Sequence, residues 1–227
     1  MKLTEKQLCK YFDHTFLKAY ATRDDFEKLC NEAKELGCAM VAVNSSPVKL
    51  CKELLTGSDV HVGAAIGFPL GQTTIESKVF ECENAIFNGA DEIDYVINVG
   101  EAKMHNWAYI EEEMQAMVSA CRKHNILIKV IYENCYLSDE EKIEISKIAK
   151  KVKPDFIKTS TGFGTGGATL EDIKLMKSIV GDDVKVKAAG GIRDLETCLA
   201  MIEAGAERIG TSSSVKIVEE FREVNHV

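Results

Sequence analysis

No stretch of the chain approaches the ~20 consecutive apolar residues of a membrane-spanning helix. The N-terminal segment is charged throughout and has no apolar run of signal length, so neither export nor membrane attachment is expected, and the cytoplasm is the expected compartment. An excess of basic charge is also missing: 28 Lys and Arg stand against 36 Asp and Glu, a net charge of −8. That argues against a nucleic-acid partner, which needs a positive face, but not against one small anion held by backbone amides and a few cations. The eight cysteines form no CxxC pair and have no zinc-like spacing, so they are expected as reduced, packed side chains. His61, His105, His124 and His226 also lack metal-ligand spacing, and no metal or other cofactor is expected. For His14, next to Asp13, a structural hydrogen bond is the expected role.

What is present is an alternation of short β-rich runs with longer helical patterns over 227 residues, 45% of them hydrophobic. Strands are predicted at 40–44, 60–66, 92–98, 126–132, 156–160, 184–188 and 208–211, with a shorter one near 12–17. Helices are predicted at 24–36, 74–88, 108–124, 138–150, 170–180 and 195–204. Thr73 with Glu76 and Ser138 with Glu141 have capping-box spacing, Thr169 with Asp172 a weaker version, and Gly37, Gly89 and Gly205 mark helix ends. Repeated βα units without a Pro/Gly/Ser linker predict one domain over residues 1–227, a closed α/β (β/α)8 TIM barrel, with an open doubly wound sheet as the competitor.

Lysine spacing favours the barrel. Lys129, Lys158 and Lys187 each fall inside a predicted strand, 29 residues apart in both intervals, which predicts three lysines at similar depth in consecutive βα units. An open sheet gives buried mid-strand lysines no common destination, whereas inward residues of a barrel converge on its axis. Convergence has a chemical consequence. Burial and a neighbouring like charge both lower a lysine pKa, so one of the group becomes a neutral amine able to attack a carbonyl and form a Schiff base. Asp94 lies in the preceding strand, on one face with Val96 and Asn98, where a carboxylate can shuttle protons and offset the cations.

Gly162-Phe163-Gly164-Thr165-Gly166-Gly167 is formally a GxGxxG between strand and helix, but the preceding strand carries Lys158 where a dinucleotide fold has an apolar run. No P-loop lysine follows it. Ala189-Gly190-Gly191-Ile192-Arg193 and Gly210-Thr211-Ser212-Ser213-Ser214 follow the last two strands, where barrels of this class bind phosphate.

The chain resembles the shorter bacterial deoxyribose-phosphate aldolases over nearly its whole length. The matching stretches are Asp13-His14-Thr15-Phe16-Leu17-Lys18, Val41-Ala42-Val43-Asn44, Gly67-Phe68-Pro69-Leu70-Gly71, the segment from Gly89 to Asn98, Lys129-Val130-Ile131-Tyr132-Glu133, Phe156-Ile157-Lys158-Thr159-Ser160-Thr161-Gly162-Phe163 and Val186-Lys187-Ala188-Ala189-Gly190-Gly191-Ile192-Arg193. The resemblance implies reversible cleavage of 2-deoxy-D-ribose 5-phosphate to acetaldehyde and D-glyceraldehyde 3-phosphate, without a metal. It implies Lys158 as the Schiff-base residue, Lys187 as the charged neighbour that lowers its pKa and moves protons, Asp94 in the proton relay and Lys129 as an electrostatic partner. It implies Gly162, Gly190, Gly191, Ser212 and Ser213 at the phosphate, and a homodimer is expected. Two departures stand out: Ser214 occupies a place where the family often has glycine, and the chain ends Val224-Asn225-His226-Val227 where some members have a tyrosine. Another class I aldolase or transaldolase, and a non-catalytic sugar-phosphate binding barrel, are the alternatives.

Overall fold

The computed structural model describes residues 3–225, so His226 and Val227 of that tail lie outside the described residues. Its strands are β1 (Phe12–Thr15), β2 (Met40–Asn44), β3 (His61–Ile66), β4 (Glu92–Val96), β5 (Leu127–Ile131), β6 (Phe156–Lys158), β7 (Lys185–Ala189) and β8 (Arg208–Thr211). Its α-helices are α1 (Glu5–Cys9), α2 (Arg23–Leu36), α3 (Val48–Leu54), α4 (Ile75–Phe87), α5 (Val99–Lys103), α6 (Trp107–Arg122), α7 (Asp139–Val152), α8 (Leu170–Val180), α9 (Leu195–Glu203) and α10 (Ser214–Asn225). Each strand pairs in parallel with its successor, and β8 pairs back onto β1 with Asp13 opposite Gly210. The sheet therefore closes into a (β/α)8 barrel, and the open sheet is excluded.

Alternation along the strands sorts the side chains into two environments. Val41, Val43, Ile93, Tyr95, Ile128, Val130, Ile157 and Val186 point outward and join the helices in one continuous apolar core. Inward positions on β1 and β4 to β8 carry Asp13, Glu92, Asp94, Lys129, Lys158, Lys187 and Arg208, all buried. Seven of the eight cysteines are buried, all eight are free, and Cys82 and Cys121 lie with their sulfurs 3.6 Å apart between α4 and α6. No helix among the described residues is long and apolar enough to cross a membrane.

Most predicted boundaries hold within two residues, and the differences have local causes. Strand β6 stops at Lys158 because the Thr159 hydroxyl donates to Ala189 O (3.0 Å) and accepts from Ala189 N (3.1 Å), replacing the main-chain ladder with a side chain. The capping box at Ser138 and Glu141 is present, and the Thr169 hydroxyl accepts from Asp172 N. The cap expected at Thr73 is one residue later: Thr74 accepts from Ser77 N. Gly37, Gly89 and Gly205 follow helix ends with positive φ, as expected. Helices α1, α3 and α5, of five to seven residues, are too short for a 3.6-residue period to be read from the sequence.

Beyond β4 one more ladder bond forms, Ile97 N donating to Ile131 O at 3.1 Å, and the rest of this end is held by a buried ion pair. Lys78 of α4 meets Glu113 of α6 at 2.5 Å, and both side chains are fully buried. Lys78 Nζ also donates to Val96 O (2.8 Å), and Glu113 Oε2 accepts from Asn98 N (3.0 Å). The pair thus satisfies the backbone where the chain leaves the barrel. Removing one partner leaves the other charge buried and unpaired, which costs about 3–5 kcal/mol. Glu113→Ala is accordingly expected to lower unfolding free energy by about that amount in urea titration, and Lys78→Met combined with Glu113→Leu to recover only part of it, because Val96 O and Asn98 N then lose their side-chain partners.

Candidate active site

Four consecutive strands bring Asp94, Lys129, Lys158 and Lys187 to one point. Asp94 Oδ1 accepts from Lys129 Nζ at 2.8 Å, while Oδ2 accepts from Lys158 Nζ at 2.9 Å and from Lys187 Nζ at 2.6 Å. Strand register aligns Lys158 with Lys187, and Asp94 with Lys129. The three depths are similar but not identical: Lys129 pairs with Phe156, and Ile131 stands opposite Lys158, so Lys129 lies one inward step nearer the N-terminal mouth. All three lysines still reach the same carboxylate.

A second ionic layer, which the sequence reading missed, lies beneath the first. Lys129 also contacts Glu92, and Lys187 also contacts Asp13. Arg208 donates to Asp13 Oδ1 at 2.6 Å and to Glu92 at 3.1 and 3.3 Å, with its guanidinium 5.4 Å from the Phe156 ring centroid. A signal for Glu92 was available, since it precedes Asp94 by two in a predicted strand and so shares its face. Asp13 and Arg208 meet across 195 residues of chain, at the ladder that closes the barrel.

Within the barrel the network contains four basic and three acidic side chains, so, with His61 at its solvent-facing end neutral, it balances when one base gives up its proton. Lys158 is the one at the cavity surface, and its pKa is pushed down to about 8. Burial is the largest cause; Asp94 opposes it, and the like charges of Lys187 and Lys129 add to it. Burial also works against the charge of Lys129, but Asp94, Glu92 and Asp13 together outweigh it and hold that lysine above its ordinary value. Asp94 is buried as well, yet its three ammonium partners keep its carboxyl well below the usual carboxylate range. One carboxylate thus stays ionised while one amine is poised to be neutral near physiological pH.

Lys158 opens into a cavity of about 700 Å³. Gly162, Gly190, Gly191, Ser212 and Ser213, the five residues expected at a phosphate, all line it. Arg193, Lys18, Lys28 and Lys216 lie around them and outnumber the lining carboxylates Asp25, Glu32 and Glu219, so an anion entering meets an excess of positive charge and the backbone at the start of α10. Asp94, Lys129 and Lys187 lie below the cavity floor and reach its contents through Lys158.

The sequence model of the DeoC/LacD family aldolases matches residues 7–219. The chain belongs to that family. It is 57% identical over 222 residues to the deoxyribose-phosphate aldolase of Lactobacillus acidophilus, covering 98% of this chain and 94% of that one. It is 53% identical to the enzyme of the same name from Bacteroides thetaiotaomicron, covering 98% and 93%. Among solved structures, the tetrameric deoxyribose phosphate aldolase of Aeropyrum pernix superposes with a TM-score of 0.88 at 28% identity, covering 97% of this chain and 93% of that one.

Within this DeoC/LacD aldolase the glycine-rich segment after β6 has a packing role. A Cβ on Gly167 would lie 2.3 Å from Gly190 O, and Ala168 N donates to that same oxygen at 3.0 Å. The loops after β6 and β7 therefore touch backbone to backbone, an approach that only glycine at 167 allows. The loops after β7 and β8 are tied as well, by the Thr211 hydroxyl donating to Ile192 O at 2.7 Å.

Ser214 does not face the cavity. Its hydroxyl lies 3.1 Å from His14 Nδ1, and His14 Nε2 lies 2.9 Å from Glu32 Oε2. Glu32 as a carboxylate can only accept, so Nε2 carries the proton of the neutral ring and Ser214 donates to Nδ1. His14 therefore has the structural role expected of it, linking β1, α2 and α10. Ser214→Ala is expected to cost about 1 kcal/mol of stability, read from the shift in denaturation midpoint at constant slope.

Proposed function

We propose that this chain reversibly cleaves 2-deoxy-D-ribose 5-phosphate to acetaldehyde and D-glyceraldehyde 3-phosphate through a Schiff base on Lys158. One observation carries the reading: a buried lysine with a pKa near 8 forms the floor of a cavity whose far side is two glycine- and serine-rich loops. The relatives named above as deoxyribose-phosphate aldolases support this substrate.

The neutral Nζ of Lys158 attacks C1 of the open-chain sugar, and loss of water with uptake of one proton gives an iminium ion. A base removes the proton of the C3 hydroxyl, and the C2–C3 bond breaks as its electron pair moves into the iminium. Glyceraldehyde 3-phosphate departs and leaves an enamine, which is protonated at C2. Water then releases acetaldehyde and regenerates the amine. Lys187, flanked by Asp13 and Asp94, remains cationic and serves proton transfer. Asp94 Oδ2 touches Lys158 and Lys187 together, so it is the shared path between them. Lys129 neutralises the other oxygen of Asp94. The amides of Gly162, Gly190 and Gly191 and the hydroxyls of Ser212 and Ser213 hold the phosphate, and Arg193 adds charge.

The chain works as one barrel domain without a metal or nucleic acid, in the cytoplasm, as a homodimer. The exposed Phe80 and Phe87, seven residues apart on α4, offer an apolar face for self-association. The tetramer described for the Aeropyrum pernix protein makes self-association a property of a relative as well.

Borohydride reduction with acetaldehyde is expected to leave a reduced two-carbon adduct on Lys158 in peptide mass spectrometry; an adduct on Lys187 or Lys129 instead overturns the assignment. Lys158→Ala is expected to abolish turnover. Lys187→Leu is expected to lower kcat by about 100-fold or more, the range of a lost proton-transfer group. Because the nucleophile is the neutral amine, the trapping rate is expected to fall about tenfold per pH unit well below 8 and to level off above it. A flat profile between pH 5 and 9 contradicts the mechanism.

A further inference from the structure

The lower ionic layer reaches solvent at the end of the barrel opposite the cavity. His61 is the first residue of β3, and its side chain is 48% exposed at the N-terminal mouth. Its Nδ1 lies 2.8 Å from Glu92 Oε1. The other Glu92 oxygen contacts Lys129, whose Nζ donates to Asp94 at 2.8 Å, and Asp94 in turn accepts from Lys158 at 2.9 Å. An unbroken chain of charged contacts thus runs through the barrel from one mouth to the other.

We propose that His61 is a positioning residue for Lys158, acting along the barrel axis through Glu92, Lys129 and Asp94. The inference rests on Lys158 being the reacting amine. Each link is a competition for a carboxylate. A donor at position 61 draws on Glu92, so Glu92 neutralises Lys129 less. Lys129 then leans more on Asp94, and Asp94 stabilises the ammonium form of Lys158 less. Positive charge at position 61 therefore favours the neutral, nucleophilic amine at the far mouth. The low-dielectric interior lets such couplings carry further than they would in water.

The other charges around this path are fixed. His61 is faced by Glu92 and Asp91 from the β4 side and by Arg208 from β8, and Asp91 is paired with Lys52 of α3 at 2.6 Å. Glu92 is faced by His61, Lys129 and Arg208. Lys158 is faced by Asp94, Lys187 and Lys129. Lys185 stacks 5.6 Å from the Phe156 ring, below Lys129 and Arg208. Glu92 holds His61 above the ordinary histidine range, so its charge persists toward neutral pH.

The experiment is the pH dependence of borohydride trapping with acetaldehyde, mapped to Lys158 by peptide mass spectrometry, in wild type, His61→Ala and His61→Arg. Position 61 is half exposed, so all three chains are expected to fold. The midpoint of the acid limb is expected lower in His61→Arg than in His61→Ala by about half a unit or more, the scale of one altered charge contact, with the wild type between them. In Glu92→Gln, exchanging His61 for Ala or Arg is expected to leave the midpoint unchanged. Trapping at Lys158 with midpoints that coincide or run in the reverse order overturns the proposal, as does an undiminished position-61 effect in Glu92→Gln. Absence of trapping at Lys158 in the wild type overturns instead the Schiff-base reading on which it rests. If Glu92→Gln does not fold, the order of the three position-61 proteins decides alone.

Discussion

Three ammonium groups share the two oxygens of Asp94, and the organisation of the barrel interior follows from that crowding. Inside a closed barrel a cation with no partner costs several kcal/mol, and one carboxylate cannot compensate three. Glu92 and Asp13 supply the missing charge to Lys129 and Lys187, and Arg208 in turn ties those two acids together. What is left over is one proton's worth of positive charge. It is least favourable on Lys158, where burial and two like charges act together. The reactivity assigned to that amine is therefore a property of the whole set, with Lys158 at its margin.

The apolar and ionic parts of the fold are separated by a single layer of backbone. Outward side chains of the strands build the core with the helices, and inward ones build the charged axis. Stability against unfolding is supplied mainly outside the sheet, where burial of apolar surface dominates. The proposed chemistry falls inside it, to side chains that contribute little net stability of their own. The proposed function gives recognition to a third region, the loops after β6, β7 and β8, which line the cavity above these charges.

Much of this was legible in the sequence, for physical reasons that also set the limits. Lysines within β-rich runs are rare enough that Lys129, Lys158 and Lys187 in consecutive units pointed to a common interior, and Asp94 followed from alternation. Their regular spacing did not reveal relative height, because register depends on how each loop delivers its strand; hence Lys129 sits opposite Phe156. Asp13 and Arg208 were hidden because their contact arises only when β8 closes onto β1. Ser214 stood out only as a departure from a family glycine, and its partner is His14, 200 residues away. The glycines of the 162–167 segment matched a nucleotide motif in spacing alone; Gly167 fits a loop–loop contact that no local pattern encodes.

That contact has a consequence for how an anion would be received. With Gly167 against Gly190, and Thr211 bonded to Ile192 O, the three loops behind the cavity are locked to one another before any ligand arrives. A mobile cradle would lose conformational entropy at every encounter with its ligand, commonly about 0.5–1.5 kcal/mol for each side chain immobilised. Here these ties between the loops form when the chain folds, so that part of the ordering precedes any ligand.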